Sequence, residues 1–255
     1  MSLSWLDRLT LFIHPQRVVL ERQPWRGAPS SQTSEVAPPA AGETDWQPVL
    51  VAAEALLKSA GQGAALRIIV ADHLVRYALL PWSDMLTGKA ARLEMARALL
   101  RNALGERAAA LDIALDRPAF GKNGIAAGID RQLLAGLRAA AKARRLRLSS
   151  VQPRLIAELS AQQKQLNDGW LACLDLGWLT LAGVRDGEIS SLHNHRASTA
   201  EPAILAGELA GLLAAESATV NGKKVLISTT AGAAPKLAGG WETTLVTPVA
   251  GGAHA

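Results

Sequence analysis

The chain has 255 residues, enough for one large or two modest domains. Apolar residues make up 49% and charged residues 19%, which permits a packed core and excludes global disorder. A formal charge of +5 attracts acidic partners weakly and does not by itself point to nucleic acid.

The single cysteine, Cys173, cannot close an internal disulfide and lies in an apolar strand pattern, so it reads as a small buried hydrophobe in a reducing compartment. No apolar run reaches the roughly 20 residues that span a bilayer. The opening MSLSWLDRLTLFIHPQ carries Asp7 and Arg8 where a signal peptide needs apolar residues. A cytoplasmic location, tied to a membrane only through a partner, is expected.

The first element is a hairpin, LTLFIHPQRVVLERQ, turning at His14-Pro15-Gln16-Arg17. Residues 24 to 45, rich in Pro, Ser, Ala and Gly and without period, are expected to be a mobile loop. A helix follows over WQPVLVAAEALLKSA, with Asp45 as candidate N-cap, Pro48 in the first turn and Gly61 past the end. LRIIVADHLVRYALLPW reads as a second hairpin turning at Asp72-His73. Leu93, Ala96, Leu100 and Leu104 share a helix face that Gly105 stops.

Short strands ALDIALDRP and GIAAGI come next, then a helix from Asp130 as cap and the strand LRLSSVQP, a βαβ pattern with an expected right-handed crossover. RLIAELSAQQKQLNDG reads as a polar-surfaced helix connecting two lobes. WLACLDLGWLTLAGVRDGEIS is again a hairpin, with Asp175 and Gly177 where its first strand runs out. A helix over about residues 200 to 216 and the strands KKVLIST and WETTLVTPV complete the chain. Two mixed halves, each opened by a hairpin, form a weak internal repeat.

This order resembles the actin-like (ribonuclease H-like) fold, and within it the PilM, GspL and MshI group of type IV pilus and type II secretion machines. The resemblance rests on LRIIVADHLVRYALLPW, on GIAAGIDRQLLAGLRAAAKARRLRLSSVQPRLIA and on the hairpin ending VRDGEI, which together span about residues 66 to 195. It implies an α/β, two-lobed architecture with mixed sheets opened by β-hairpins. Residues 1–157 would form the first lobe, with loop 24–45 and an inserted subdomain at about 84–145. Residues 158–255 would form the second lobe, reduced because little room remains between SSLHNHRAST and the next helix.

Actin-like folds hold ATP between the lobes with one hairpin turn from each, and the first turn pairs an Asp-x-Gly with a later Lys. The Gly lets backbone N–H groups approach phosphate, and the Lys neutralises it. Here Phe12, His14 and Val19 stand at the Asp, Gly and Lys positions, and Pro15 removes an N–H donor. Losing two or three charge-assisted bonds of roughly 1.5 to 3 kcal/mol each would weaken binding about 10²- to 10⁵-fold. The second turn keeps Asp175, Gly177 and Thr180, but Trp178 and Leu179 stand where small residues leave room for phosphate. Thr229, Thr230 and Gly232 are a loose match to the adenine loop.

The resemblance therefore implies a degenerate phosphate-loop remnant at Asp175, Gly177 and Thr180, with no catalytic residue, cofactor or metal. It implies a cytoplasmic scaffold that binds short segments of inner-membrane assembly proteins and contacts an assembly ATPase. The alternative is a weak nucleotide-binding ATPase or kinase using Asp175.

Other features have plain readings. His193-x-His195 has too few neighbours for a metal site and reads as a solvent-facing strand end. The basic run Arg138 to Arg147 reads as a solvated helix face without the aromatics of a nucleic-acid site. Gly207-x-x-x-Gly211 reads as close packing of a helix on a sheet.

Overall fold

The computed structural model describes residues 7–37, 46–86, 88–175, 177–197, 201–220, 222–229 and 235–249. The expected opening hairpin is present: β1 (Arg8–Ile13) pairs antiparallel with β2 (Arg17–Gln23), from Arg8 opposite Gln23 to Ile13 opposite Val18. β-Branched and leucine residues alternate toward the core along both strands, which sets this register. The span expected to be a loop is only partly one, because Ser30–Glu35 form strand β3 on the free edge of β2. Its sequence, SSQTSE, is polar because an exposed edge strand is held by its backbone ladder and needs no apolar side chains. Asp45, the candidate cap of α1 (Gln47–Lys58), lies outside the described residues; Pro48 sits in the first turn as expected.

β4 (Ala65–Val70) and β5 (Val75–Leu80) are not a hairpin. β4 runs parallel between β1 and β8 (Arg147–Pro153), so both its edges are occupied and β5 has nowhere to pair. A 3-10 turn at Asp72–Leu74 carries the chain into a separate three-stranded sheet, in which β5 pairs with β7 (Gly124–Asp130) and β7 with β6 (Leu111–Leu115). α2 (Lys89–Leu104) covers that sheet through Ala96 and Leu100, and the chain leaves it at Gly105.

α3 (Arg131–Ala143) is capped as expected: Asp130 accepts from the backbone N–H groups of Gln132 (2.8 Å) and Leu133 (3.2 Å). The βαβ expectation fails, because β7 and β8 belong to different sheets and α3 is a bridge between them. α3 packs on α1 where a Cβ at Gly136 would meet Leu50 Cδ2 at 2.5 Å.

The second five-stranded sheet repeats the plan of the first. β9 (Gly169–Asp175) and β10 (Trp178–Arg185) form the expected hairpin, β11 (Glu188–Arg196) adds to β10 antiparallel, and β12 (Lys224–Thr229) and β13 (Glu242–Val246) lie parallel beyond β9. The orders β3-β2-β1-β4-β8 and β11-β10-β9-β12-β13 match strand for strand in sense and position. α5 (Pro202–Ala215) lays Leu209 and Leu213 on this sheet. Gly207 and Gly211 face away with nothing within 4 Å of an added Cβ, so their spacing is not a close-packing device.

α4 (Arg154–Gln162) corrects the expectation of a polar connecting helix. Arg154, Leu155, Ala157, Glu158 and Gln162 are all buried. Ala157 packs on Phe12, Val19 and Ile69 of the first sheet, while Leu155 packs with Leu171, Cys173 and Leu226 of the second. The helix is therefore sandwiched between the sheets. Cys173 is buried there, and loss of solvent pushes its thiol well above the ordinary range, as expected of a structural cysteine. No helix among the described residues is long and apolar enough to cross a membrane.

Candidate functional site

The two hairpin turns meet beside the start of α4. His14 closes β1 and Asp175 closes β9, and His14 Nδ1 lies 3.8 Å from Asp175 Oδ1. The other carboxylate oxygen, Oδ2, is 2.6 Å from Arg154 Nη1 at the start of α4. Arg154 is only 1% exposed and makes further bonds to the second sheet: Nη1 donates to Leu174 O (3.2 Å), and Nη2 to Ser228 O (3.1 Å) and Ser228 Oγ (3.2 Å). One turn along the helix, Glu158 Oε1 accepts from Ser228 Oγ at 2.8 Å and from Val249 N at 2.9 Å.

On the first-sheet side the 3-10 turn supplies Asp72, whose Oδ1 accepts from Tyr77 OH at 2.5 Å and from Leu155 N at 3.0 Å, the latter a free N–H in the first turn of α4. The neighbouring imidazole of His73 lies 5.7 Å from the ring of Trp178. Asn194 on β11 clamps this turn from the other sheet, donating to Asp72 O (2.8 Å) and Val75 O (3.2 Å).

Burial sets the protonation of this cluster. It pushes the Asp72 carboxyl up to about 6, against the opposing pull of Tyr77, Leu155 N–H and Arg154. It pulls the His73 imidazole down to about 4, so that ring is neutral at pH 7. Glu158 is also raised by burial. Burial alone would pull Arg154 down, but the charges of Asp175, Asp72 and Glu158 outweigh it and hold the guanidinium firmly protonated. Three carboxyl groups thus surround one cation. Its Nη1 and Nη2 are hydrogen-bonded, whereas Nε, 3.8 Å from Glu158 Oε1, has no hydrogen-bond partner among the described residues.

The three residues expected as a phosphate-loop remnant are placed as follows. Asp175 is 8% exposed and engaged by Arg154. Gly177 has φ +71°, a backbone conformation that glycine adopts readily in a turn, and no protein atom lies within 4 Å of an added Cβ. Thr180 is 1% exposed and its hydroxyl donates to Asn194 Oδ1 at 3.3 Å. In the first turn, Phe12 and Val19 are buried together beneath α4, so the positions where the resemblance implies Asp and Lys carry an apolar contact. Thr229 is buried at the end of β12, and Thr230 and Gly232 lie outside the described residues.

Sequence reasoning missed Arg154, Glu158, Asp72, Ser228 and Asn194. Charged residues ordinarily signal solvent, and the one available sign was the spacing of Arg154 and Glu158, an i,i+4 pair on the side of α4 that also carries Leu155.

The remaining candidates settle simply. His193 Nε2 lies 3.3 Å from Glu216 Oε1 and 3.0 Å from Ser191 Oγ, but no group of three or more His, Cys, Asp or Glu side chains is placed to hold a metal among the described residues. Arg138 is exposed and lies 3.6 Å from Asp112, in keeping with a solvated face.

Two sheets of identical order, opened by facing hairpins, define the actin-like ATPase fold. Solved structures bear this out. The chain is similar to the cytoplasmic domain of EpsL, an inner membrane component of the type II secretion system of Vibrio cholerae, at a TM-score of 0.60 and 14% identity over 94% of this chain and 89% of that one. It is similar to a chain of the PilM–PilN type IV pilus biogenesis complex at a TM-score of 0.62 and 14% identity, over 96% and 89%. A Bacteroides thetaiotaomicron protein with an actin-like ATPase fold matches at 0.57 and 11% identity, over 89% and 82%. No protein-family model matches the sequence. No curated protein matches it either.

Proposed function

We propose that this chain is a non-catalytic scaffold at the cytoplasmic face of an inner membrane, holding cytoplasmic segments of membrane-anchored assembly proteins in a pilus or secretion apparatus. The observation that supports the non-catalytic part is the buried Arg154–Asp175 pair at 2.6 Å, in which the carboxylate that the resemblance assigns to a phosphate loop is engaged by a side chain of the protein itself. The partner class is supported by the likeness to EpsL, an inner membrane component, and to a chain of the PilM–PilN complex. On this reading the first sheet and its three-stranded insertion form one lobe, residues 1–157, and residues 158–255 form a second, reduced lobe.

Titration calorimetry with Mg-ATP tests it. No binding heat is expected up to millimolar nucleotide. Micromolar binding that Asp175→Asn abolishes in a folded chain would instead support a weak nucleotide-binding protein, the reading that the retained Asp175-x-Gly177 turn favours.

A further inference from the structure

The two faces of the first sheet are unequal. One packs against α1 and α3, while the other is covered by α4 only over Phe12, Val19 and Ile69 near the strand ends. Where the strands begin, that second face is open, and a cavity of about 710 Å³ occupies it, away from the buried cluster. Parallel strands such as β1, β4 and β8 are ordinarily covered on both faces. Among the described residues, half of a layer is missing here.

Register decides what the open half offers. Thr10 stands between Glu21 of β2 and Arg67 of β4, and Arg8 stands between Gln23 and Ala65. An irregularity in the pairing of β8 with β4, at Leu66 and Arg67, brings in Ser149, whose hydroxyl donates to Leu66 O at 2.8 Å. Arg22 at the rim is taken by Asp7, with Nε 3.0 Å from Oδ2. Arg8 makes no ion pair among the described residues, and Arg67 donates to the neutral amide of Gln152 at 2.9 Å. Among the described residues the cavity lining includes one carboxylate, Glu21, and no aromatic ring.

We propose that this open sheet face is a docking site for an acidic segment of a protein partner, whose carboxylates meet Arg8 and Arg67 while Thr10, Gln23 and Ser149 bond its remaining polar groups. The charge balance selects acidic chemistry. The absence of a stacking ring separates it from single-stranded nucleic acid, and a recessed trough does not fit a flat lipid surface. The assignment rests on the sheet face alone and does not need the cleft to be closed to nucleotide.

The test uses the full chain and two fluorescein-labelled probes, a poly-glutamate peptide and a poly-glutamine control, read by anisotropy. The glutamate probe binds, the glutamine probe does not, and binding weakens as salt rises. Arg8→Glu with Arg67→Glu weakens the glutamate probe by at least about tenfold. The milder pair Arg8→Gln and Arg67→Gln gives an intermediate loss and guards against misfolding. Lys58→Glu with Lys142→Glu, on the opposite side of the sheet, changes binding by less than about twofold. Equal loss in both reversal variants, no binding by the parent chain, or tighter binding of a single-stranded oligonucleotide through Arg8 and Arg67 would each overturn the proposal.

Discussion

Arg154 and Asp175 form a buried ion pair, Nη1 to Oδ2 at 2.6 Å, that ties the first residue of α4 to the last residue of β9. Each comes from a different packing layer, and removing either leaves charge stranded in the interior. Arg154→Met is therefore expected to cost about 3 to 5 kcal/mol, as breaking a buried pair does. Adding Asp175→Leu should recover part of that loss, and urea unfolding of the two single variants and the double variant measures the coupling.

Asp72 and His73 are adjacent and shift in opposite directions, to about 6 and about 4. A raised carboxyl makes the folded state bind more protons than the unfolded one, so its contribution falls as pH rises from about 4 to 6. A depressed imidazole works the other way, because the unfolded chain takes up protons below about 6.5 that the folded chain refuses. Each effect is on the order of 3 kcal/mol, and over most of this window they offset. Asp72→Asn should expose the histidine effect, making the protein lose stability on acidification from pH 6.5 to 4. His73→Gln should leave the aspartate effect, making it more stable over the same interval. Denaturant midpoints at several pH values decide, and parallel profiles for the two variants would refute the assignment.

Two glycines with positive φ should respond differently to alanine. At Gly177, with φ +71° and open space, the cost is the backbone conformation alone, about 1 to 2 kcal/mol. At Gly169, with φ +141°, an added Cβ would lie 2.6 Å from the backbone oxygen of Lys224 in the adjoining segment, which cannot swing aside. Gly169→Ala should therefore cost at least about twice as much. Thermal unfolding of both variants gives the comparison.

Asn194→Ala removes its bonds to Asp72 O and Val75 O, of which, among the described residues, only Val75 O keeps a side-chain donor, Arg76 Nη1 at 3.0 Å. A loss of about 1 to 3 kcal/mol is expected. Hydrogen exchange should quicken at residues 72–75 more than in the strands of the first sheet. Uniform quickening would mean that the clamp is not local.

Elements that depend on neighbours in sequence were legible. The hairpin turns at His14-Pro15 and Asp175-x-Gly177, the cap at Asp130 and the stop at Gly105 all follow from local chemistry. Sheet membership did not, because β5 leaves β4 only when β1 and β8 have taken both edges, and β8 lies far along the chain. β3 escaped notice because its polar side chains carry no alternation. In the site, Asp175, Gly177 and Thr180 were found by their positions, but their partners were not. A buried Arg154 can be inferred only once carboxylates from two other elements are seen to surround it.

The placement of α4 has a mechanical consequence. Ala157 is wedged on the first sheet, Leu155 on the second, and Arg154 is bonded across to β9 and β12. Swinging the sheets apart would strip the guanidinium from its carboxylate and its carbonyls together. The helix sits like a bolt between the sheets, and any motion that parted them would have to break its apolar contacts and its buried ion pair in the same step.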